Sequence, residues 1–450
     1  MDKNSQAMVD RIEQFRQEIL DAERYIWKNP EPGYKEWKTN AYLKEKYEAL
    51  GYELHMAGNI PGFWCEADTG RPGPCIGIFG EMDSLIVPNH PECDPETGAA
   101  HSCGHHCQSA ALLGVAAALK APGALDGLCG KVRLFAVPAE ELIDLDFRHD
   151  LVKKGIIRFC GGKQEFLYRG YLNGVDIGIM IHTSSNDRIQ CDDGSNGCVI
   201  KTAEFRGKSC HASAPHRGQN ALYAANCALN AANAIRETFR DQDGIRFHPI
   251  ITAGGNVVNA IPDRVVVESY VRGRDMEAIA KENEKLNRAF AASAAAMGCN
   301  VHLSDQHGYA PRNNDFNLQD VMVEAATGLL PPEKIVPHNG WGAGCSDFGD
   351  VALVMPTVHP HIGGAEGASH SAAYHIVDAE LACVTSAKVQ ARMAAILLAD
   401  GAAKAKKVIA ESHVPCKSIE EYLKMVAPME FDADAVCYND DGTVTLKYKN

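Results

Sequence analysis

The sequence predicts an α/β protein of two domains, in which a smaller α+β domain interrupts a larger one. Three observations carry this. Residues up to about 196 alternate strand-like and helix-like segments, the stretch from 197 to 310 follows the order β-α-β-β-α-β, and the alternating pattern returns after about Pro311. A chain of 450 residues also exceeds what one ordinary core organises. The expected boundaries are 1–196 and 311–400 for the two parts of the larger domain, 197–310 for the inserted one and 401–450 for a C-terminal extension.

Met8, Ile12, Phe15, Ile19, Ala22 and Ile26 recur every three or four residues, so the chain opens on an amphipathic helix that ends near Asn29-Pro30-Glu31-Pro32-Gly33. A second helix spans about Asn40 to Leu50, closed by Gly51. Ile60 to Ala67 and Ile76 to Gly80 read as strands, and Ala110 to Leu119 as a buried helix. Val132 to Val137 is an apolar strand leading into Pro138-Ala139-Glu140-Glu141, and Ile177 to Ile181 is another leading into His182. Strands alternating with helices imply a largely parallel sheet covered on both faces. Ligands of such sheets bind beyond the carboxyl ends of the strands, where Asp83, the Glu pair and His182 stand.

From Gly197 the pattern changes. Cys198 to Phe205, Ile250 to Ala253, Arg264 to Arg272 and Asn300 to Gln306 read as strands, with long helices at Gln219 to Phe239 and Met276 to Met297. This order suggests a ferredoxin-like unit with a four-stranded antiparallel sheet. Its helices cover one face, and pairing with a second subunit is the expectation for the other. After Pro311 come a helix near Leu318 to Leu329, a strand at Val351 to Met355, a Gly-rich loop from Gly363 to Gly367 ahead of His370, and a closing helix from Ala379 to Leu398. Asp440-Asp441-Gly442, between β-prone segments, suggests a hairpin in the tail.

With 46% hydrophobic and 23% charged residues the chain reads as a folded soluble protein. A net charge of −14, scattered and not in blocks, disfavours nucleic acid and anionic membrane as partners. Met1 to Gln14 is polar, without the apolar stretch of a signal peptide, and no run of 18 apolar residues occurs, so no transmembrane helix is expected. The 16 cysteines are spread over the whole chain. Reduced thiols in a cytoplasm fit this best, most of them as small buried hydrophobes.

The chemistry concentrates in His101-Ser102-Cys103-Gly104-His105-His106-Cys107. A thiolate and an imidazole two residues apart on a Gly-containing turn can aim at one point. Glu140-Glu141, His182, His211 and His370 follow, each after or near a strand-like or Gly-rich segment. Cysteine with histidine suits Zn²⁺, and added carboxylates permit Mn²⁺ or Co²⁺. Taken singly, each has a blander reading: Glu-Glu as a solvated pair, His182 as a satisfied histidine at a strand end, Cys103 as a buried cysteine.

Taken together they resemble the M20 metallopeptidase and amidohydrolase family, especially its branch of aminobenzoyl-glutamate hydrolase-like and N-acyl-amino-acid amidohydrolases. The resemblance covers roughly residues 10 to 400 and rests on eight segments in the family's order. These are Asn29 to Glu36, Gly80-Glu81-Met82-Asp83-Ser84-Leu85, His101 to His105, Pro138 to Glu141, Gly207-Lys208-Ser209-Cys210-His211-Ala212 with Pro215, Gly255 to Pro262, Ser346 to Val351 and Ala368-Ser369-His370. It implies a zinc-peptidase-like catalytic domain interrupted by a ferredoxin-like dimerisation (lid) domain. It implies two divalent metal ions per subunit, Zn²⁺ first and Mn²⁺ or Co²⁺ as alternatives, held by Cys103, His105, Glu141, His182 and His370. His359, His361 and His375 lie near His370, and the Ala-Ser-His context favours His370. Glu140 is implied as the general base, Asp83 as the partner that orients His105, and His211 as an oxyanion donor acting on the partner subunit's site. Asn259 and Arg272 are implied as holders of a substrate carboxylate or carbonyl. Gly363 and Gly364 either let backbone N–H groups approach substrate or form a turn.

Three positions depart from the family, one of them Val137, where relatives often carry Gln and the change bears on packing more than on chemistry. His106 stands where many relatives carry Asp or Asn, as an added ligand, a donor behind the ligands or a packing histidine. Glu81 stands where the peptidase branches carry a histidine, which argues for the amidohydrolase branch. The expected function is therefore a cytoplasmic, homodimeric, dinuclear metal amidohydrolase cleaving N-acyl or N-aroyl amino acids or small dipeptides. A dipeptidase or aminopeptidase of the same family is the alternative; it needs an acidic partner for a free substrate amine, and Glu81 or Asp347 could serve. A non-catalytic metal-binding relative is a third reading, opposed by the intact Glu140.

Overall fold

The computed structural model describes residues 1–449. The chain runs α1 (Lys3–Gln14), α2 (Arg16–Trp27), α3 (Trp37–Ala49), β1 (His55–Met56), β2 (Phe63–Asp68), β3 (Cys75–Glu81), α4 (His105–Leu119), β4 (Lys131–Val137), α5 (Gly162–Tyr168) and β5 (Ile177–Ile179). It continues with β6 (Gly197–Arg206), α6 (Ala221–Ile235), β7 (Ile250–Ala253), β8 (Arg264–Gly273), α7 (Met276–Ala296), β9 (Asn300–Tyr309), α8 (Phe316–Ala326), β10 (Thr357–Val358), α9 (Ser386–Glu411) and β11 (Phe431–Asp434), beside shorter segments. Two units emerge. The first comprises Met1–Gly194, Asn313–Gly342 and Asp350–Ile419; the second comprises Ser195–Arg312, Ala343–Gly349 and the residues from Glu420 on.

The first unit is built on a six-stranded sheet in the order β1-β2-β4-β3-β5-β10. β3 pairs in parallel with both β4 and β5, β5 in parallel with β10, and β2 antiparallel to β4. The sheet is therefore mixed and largely parallel, and β3, at its centre, is buried at all seven residues. Helix α4 is buried along its whole length and packs against α1, α2, α9 and β3, as expected of a helix that is apolar all round. Its start is set by Gly104, whose φ of 103° and close neighbours, Tyr374 Oη and Thr183, exclude a side chain.

Three elements differ from expectation. The opening helix breaks at Phe15 (φ −98°, ψ 11°), giving α1 and α2. Val351 to Met355, expected as a strand, begins inside the short helix Phe348–Ala352, and the strand that joins the sheet is β10. The closing helix starts as a π-helical stretch, Glu380–Thr385, and α9 is broken at Ala399–Ala402, where Asp400, Gly401 and Ala402 take positive φ. Glu380–Glu411 is long and apolar enough to cross a membrane by length and composition, yet 83% of its most apolar window is buried in the core. It is a core helix.

In the second unit β6 lies between β8 and β9, all antiparallel; the short strand Arg246–Phe247 and β7 both pair with β8, and β11 pairs with β9. The first strand is thus flanked by the third and the fourth, the ferredoxin-like arrangement. Helices α6 and α7 bury Ala224, Ala228, Leu286 and Phe290 with Val199, Ala203 and Phe205 of β6. Residues 401–450, expected as one extension, divide between the units. Those to Ile419 belong to the first, and β11 adds a strand beside β9 in the second. The expected hairpin closes at Asn439 to Thr443, pairing Val436–Tyr438 with Val444–Leu446.

One polar network crosses this second core. Lys201 Nζ lies 2.5 Å from Asp305 Oδ1 and is bonded to Asn287 Oδ1, while Asn283 and Asn287 donate to Asp305 Oδ2 at 2.8 and 2.6 Å. Both charged side chains are fully buried. Removing one partner of such a pair strands the other in low dielectric. Lys201→Met should destabilise the protein by about 3–5 kcal/mol, and the double variant Lys201→Met/Asp305→Leu should recover much of that loss. The check is the urea midpoint followed by far-ultraviolet circular dichroism; a double variant as unstable as the single one would remove this account.

Candidate metal centre

The chemistry-bearing side chains of the first unit gather at the carboxyl edge of its sheet. β3 ends at Glu81 and leads to Asp83, β4 leads through Pro138 and Ala139 to Glu140 and Glu141, and β5 leads to His182. His105 opens α4 just after Cys103 and Gly104.

Two groups of potential ligands share one sulfur. The ligand atoms of Cys103, His105 and His182 lie within 4.8 Å of one another, and so do those of Cys103, Glu141 and His370. Cys103 Sγ is 3.5 Å from His182 Nε2, and His370 Nε2 is 3.2 Å from Glu141 Oε1. A third group, Glu81, His105 and Glu140, adjoins them, with His105 Nε2 3.2 Å from Glu81 Oε2 and 3.8 Å from Glu140 Oε2. The outer ring nitrogens are already used. His105 Nδ1 is 3.0 Å from both the carbonyl and Oδ1 of Asp83, and His182 Nδ1 donates to Thr183 O at 2.6 Å. Each imidazole is thereby turned with Nε2 toward the cluster, the way ligand histidines are held by a carboxylate or carbonyl behind them.

The Glu140-Glu141 turn is buttressed from three sides. Asp83 Oδ2 accepts from Glu141 N at 2.9 Å, and Glu36 Oε1 accepts from Ala139 N at 2.7 Å. Arg148, fully buried, donates to the Glu141 carbonyl and, at 2.7 Å, to Cys160 O. These bonds hold Ala139 at a φ of 57°, a left-handed conformation that alanine adopts only where its surroundings impose it.

The donor set fits divalent cations. Cys103, Glu81, Asp83, Glu140 and Glu141 bring acidic groups into one pocket, and Lys163 is the buried amine beside them. Glu81 is spoken for: Lys163 Nζ salt-bridges its Oε1, Gln108 donates to Oε2 at 2.6 Å, and against the cost of burial Lys163 and His105 hold its carboxyl at about 2. Burial likewise opposes ionisation of Glu141, but His370 and His105 pull it down to about 2. Burial, with Glu81 and Glu141 nearby, pushes Glu140 well above the usual carboxylate range. Burial drives His182 down to about 4, so its ring is neutral, the form that ligates. His105 Nε2 and Glu141 Oε1 are buried without a hydrogen bond, although anionic or cationic groups stand 3.2 Å away. Donor atoms that face one another without bonding suit a shared ion.

Other positions named from the sequence fall elsewhere. His211, Asn259 and Arg272 belong to the second unit. His211 is exposed, its Nδ1 2.7 Å from Ser213 Oγ, and a bridge to Ala260 sets it beside Asn259. Arg272 stands near the far end of β8, donating to His248 Nε2 at 3.0 Å and to Cys345 Sγ at 3.4 Å. Asn259 precedes β8, in the loop between β7 and β8. Gly363 and Gly364 need correction. Their N–H groups donate to Arg188 O at 2.8 Å and Asn186 O at 3.1 Å, which commits them to a turn. A Cβ on Gly364, at φ 126°, would meet Asp378 O at 2.5 Å. Of the neighbouring histidines, the His359 and His361 rings lie 5.9 and 5.5 Å from His182, and His375 bonds to Ala373 O at 2.9 Å.

Four residues escaped the sequence reading: Lys163, Gln108, Glu36 and Arg148. Glu36 sits inside a recognised segment, and that was its one signal. A lysine on the short helix α5 carries no mark that it is buried against a carboxylate.

Asp83 ties two ligand-bearing segments together, so Asp83→Ala should lower metal affinity by about 10–100-fold, as loss of such an orienting partner typically does. Metal titration of metal-free protein checks this; wild-type affinity would remove Asp83 from that role.

Comparison with known proteins agrees with this architecture. Residues 193–297 match the M20 peptidase dimerisation domain. The chain is 28% identical over 380 residues to the Xaa-Arg dipeptidase of Mus musculus, covering 81% of each. It is 27% identical over 331 residues to the N-acetyl-L-cysteine deacetylase of Bacillus subtilis, covering 70% of this chain and 72% of that one. Among solved structures, a dinuclear metal binding peptidase from the M20 family of Bacillus subtilis superposes with a TM-score of 0.64 at 22% identity, covering 86% of this chain and 99% of that one. The aminobenzoyl-glutamate utilization protein of Klebsiella pneumoniae gives a TM-score of 0.64 at 18% identity over 86% and 97%. The chain thus carries a segment that matches the M20 peptidase dimerisation domain, and the relatives it resembles are peptidases and amidohydrolases, hydrolases of amide or peptide bonds.

Proposed function

We propose that the protein is a dinuclear metal-dependent amidohydrolase that cleaves the amide bond of N-acyl or N-aroyl amino acids. The observation that carries this is the pair of ligand triads sharing Cys103, with the buried carboxyl of Glu140 beside them. Cys103, His105, Glu141, His182 and His370 would hold two divalent ions, Zn²⁺ first and Mn²⁺ or Co²⁺ as alternatives. When bound, such ions supply Lewis acidity toward the scissile carbonyl and acidify the attacking water. Glu140 takes that water's proton and passes it to the leaving nitrogen, and its raised proton affinity suits a base that must hold the proton between the two steps. Asp83 keeps His105 and the Glu141 turn in place. Arg272 supplies a guanidinium suited to the substrate carboxylate.

The alternative is a dipeptidase, and the similarity to Xaa-Arg dipeptidases, at 28% and 29% identity, favours it. A dipeptide brings a free amine that needs an acidic partner near the metals. Glu81 is already engaged by Lys163 and Gln108, which supports the acylated substrate. A panel of N-acyl amino acids and dipeptides, assayed on metal-free protein with Zn²⁺, Mn²⁺ or Co²⁺ restored, decides between them. Turnover of dipeptides alone would overturn the acyl preference, and no turnover of either class would overturn the enzyme reading.

The base assignment has its own test. Glu140→Gln should keep the wild-type metal content and lose about 10²–10⁴-fold in turnover, whereas Cys103→Ala or Glu141→Ala should lose metal. Near wild-type rates in Glu140→Gln would remove the assignment.

The protein is further proposed to be a cytoplasmic homodimer in which His211 donates to the oxyanion at the partner's site. The free edge of β7 supports pairing: Ile250 and Ile251 are exposed there, and Val258 is wholly exposed in the loop that follows. Inactive Glu140→Gln and His211→Ala chains should then complement when mixed and exchanged, because one site of each mixed dimer carries neither lesion. Activity no greater than the sum of the two variants, after exchange is demonstrated, would place His211 outside the partner's site.

A further inference from the structure

A second group of buried ligand-type side chains lies behind the metal centre and shares no residue with it. Glu23 of α2, His106 and Cys107 of the first turn of α4, and Cys383 of the π-helical stretch ahead of α9 converge in the first unit. All are buried: Glu23 is 4% exposed, and His106, Cys107 and Cys383 are fully enclosed. His106 Nε2 is 3.3 Å from Glu23 Oε1 and 3.3 Å from Cys107 Sγ, and the three ligand atoms lie within 4.8 Å of one another. Cys383 neighbours Cys107, and its thiol is one of the groups that lower the proton affinity of Cys107 against the cost of burial.

Three features set this group apart from an ordinary hydrogen-bonded cluster. First, one imidazole nitrogen carries at most one proton, yet Nε2 faces a carboxylate and a thiol at equal distance, and it cannot serve both well as a donor. An ion between them serves both. Second, the separations match. Zinc bonds of about 2.0–2.3 Å to N, O and S put the edges of a tetrahedron at roughly 3.3–3.8 Å. Third, Cys383 owes its direction to a π-helical stretch, a rare geometry whose wide turn re-aims side chains and gathers at functional sites.

We propose that Glu23, His106, Cys107 and Cys383 form a separate structural metal site that takes Zn²⁺. Two thiolates, a carboxylate and an imidazole make a closed four-ligand set of the type that zinc favours over harder ions. The net charge suits a divalent ion, because Arg24 lies 2.6 Å from Glu23 Oε1 and offsets the excess anion. The site's function would be mechanical. It ties α2 and the π-helical stretch to the first turn of α4, whose first residue, His105, faces the candidate metal centre. His106, at a position where many relatives carry Asp or Asn, then has a role as the added ligand.

The test separates this ion from the catalytic ones by removing the shared sulfur of the latter. In reduced Cys103→Ala protein loaded with Co²⁺, sulfur-to-cobalt charge-transfer absorption should persist in the near ultraviolet, and it should vanish in Cys103→Ala/Cys107→Ser. Zinc counted by native mass spectrometry should show one ion that survives Cys103→Ala and Glu141→Ala but is lost in Glu23→Gln or Cys383→Ser. The count on Cys103→Ala and Glu141→Ala needs no substitution in the proposed site, so a misfolded Cys107→Ser does not spoil the experiment. Absence of the charge-transfer band in Cys103→Ala, or a zinc count unchanged by Glu23→Gln and Cys383→Ser, would overturn the proposal and leave a hydrogen-bonded cluster.

Discussion

The catalytic end of the first unit depends on one carboxylate. Asp83 places Oδ1 3.0 Å from His105 Nδ1 and accepts the Glu141 amide on Oδ2 at 2.9 Å. His105 opens α4 and Glu141 follows β4, so a single buried side chain sets the distance between two ligand-bearing segments that are 36 residues apart in sequence. The arrangement is rigid because neither partner has a solvent alternative: Asp83 and His105 are wholly buried. Glu36 and Arg148 extend the clasp around the Glu140-Glu141 turn. Their cost is desolvation, and it is met by bonds to backbone N–H and C=O groups that would otherwise be orphaned in the core.

Charge follows from that geometry. Packing several acidic groups at one sheet edge is unfavourable unless cations join them. Lys163 neutralises Glu81 inside the protein, and the remaining anionic groups face His105 and His370. The pushed-apart proton affinities of the adjacent Glu140 and Glu141 are one consequence. Neighbouring residues at one turn point to different partners, so one is held as an anion by histidine while the other keeps its proton more firmly. Under the proposed function this difference would suit Glu141 as a ligand and Glu140 as a base.

The second unit solves a different problem. Its sheet carries helices on one face, and its core is Ala-rich along α6, which lets the helix approach the strands closely. Lys201 and Asp305 are an exception to that apolar core. Buried pairs of this kind add little net stability compared with apolar packing, but they penalise any register in which the partners do not meet. The pairing of β6 with β9, which sets Lys201 opposite Asp305, is the register they would specify.

Much of this was legible in the sequence because it is local. Apolar alternation at Ile76 to Gly80 and Val132 to Val137, the three-to-four-residue spacing at Met8 to Ile26 and the strand-helix order from Gly197 to Gln306 each reflect a short-range period. The ligand-type residues were legible for the same reason, since they sit where strands end or glycines turn the chain. Tertiary structure alone decided what lies opposite what. It turned Glu81 into the partner of Lys163, committed the amides of Gly363 and Gly364 to a turn, and set Arg272 against His248 and Cys345. It also moved the expected strand from Val351–Met355 to Thr357–Val358, and drew Phe431–Asp434 into the second sheet. The physical reason is common to all of these. Local periodicity encodes which face of an element is buried, whereas the identity of the group that covers it depends on other segments of the chain, whose meeting no local pattern records.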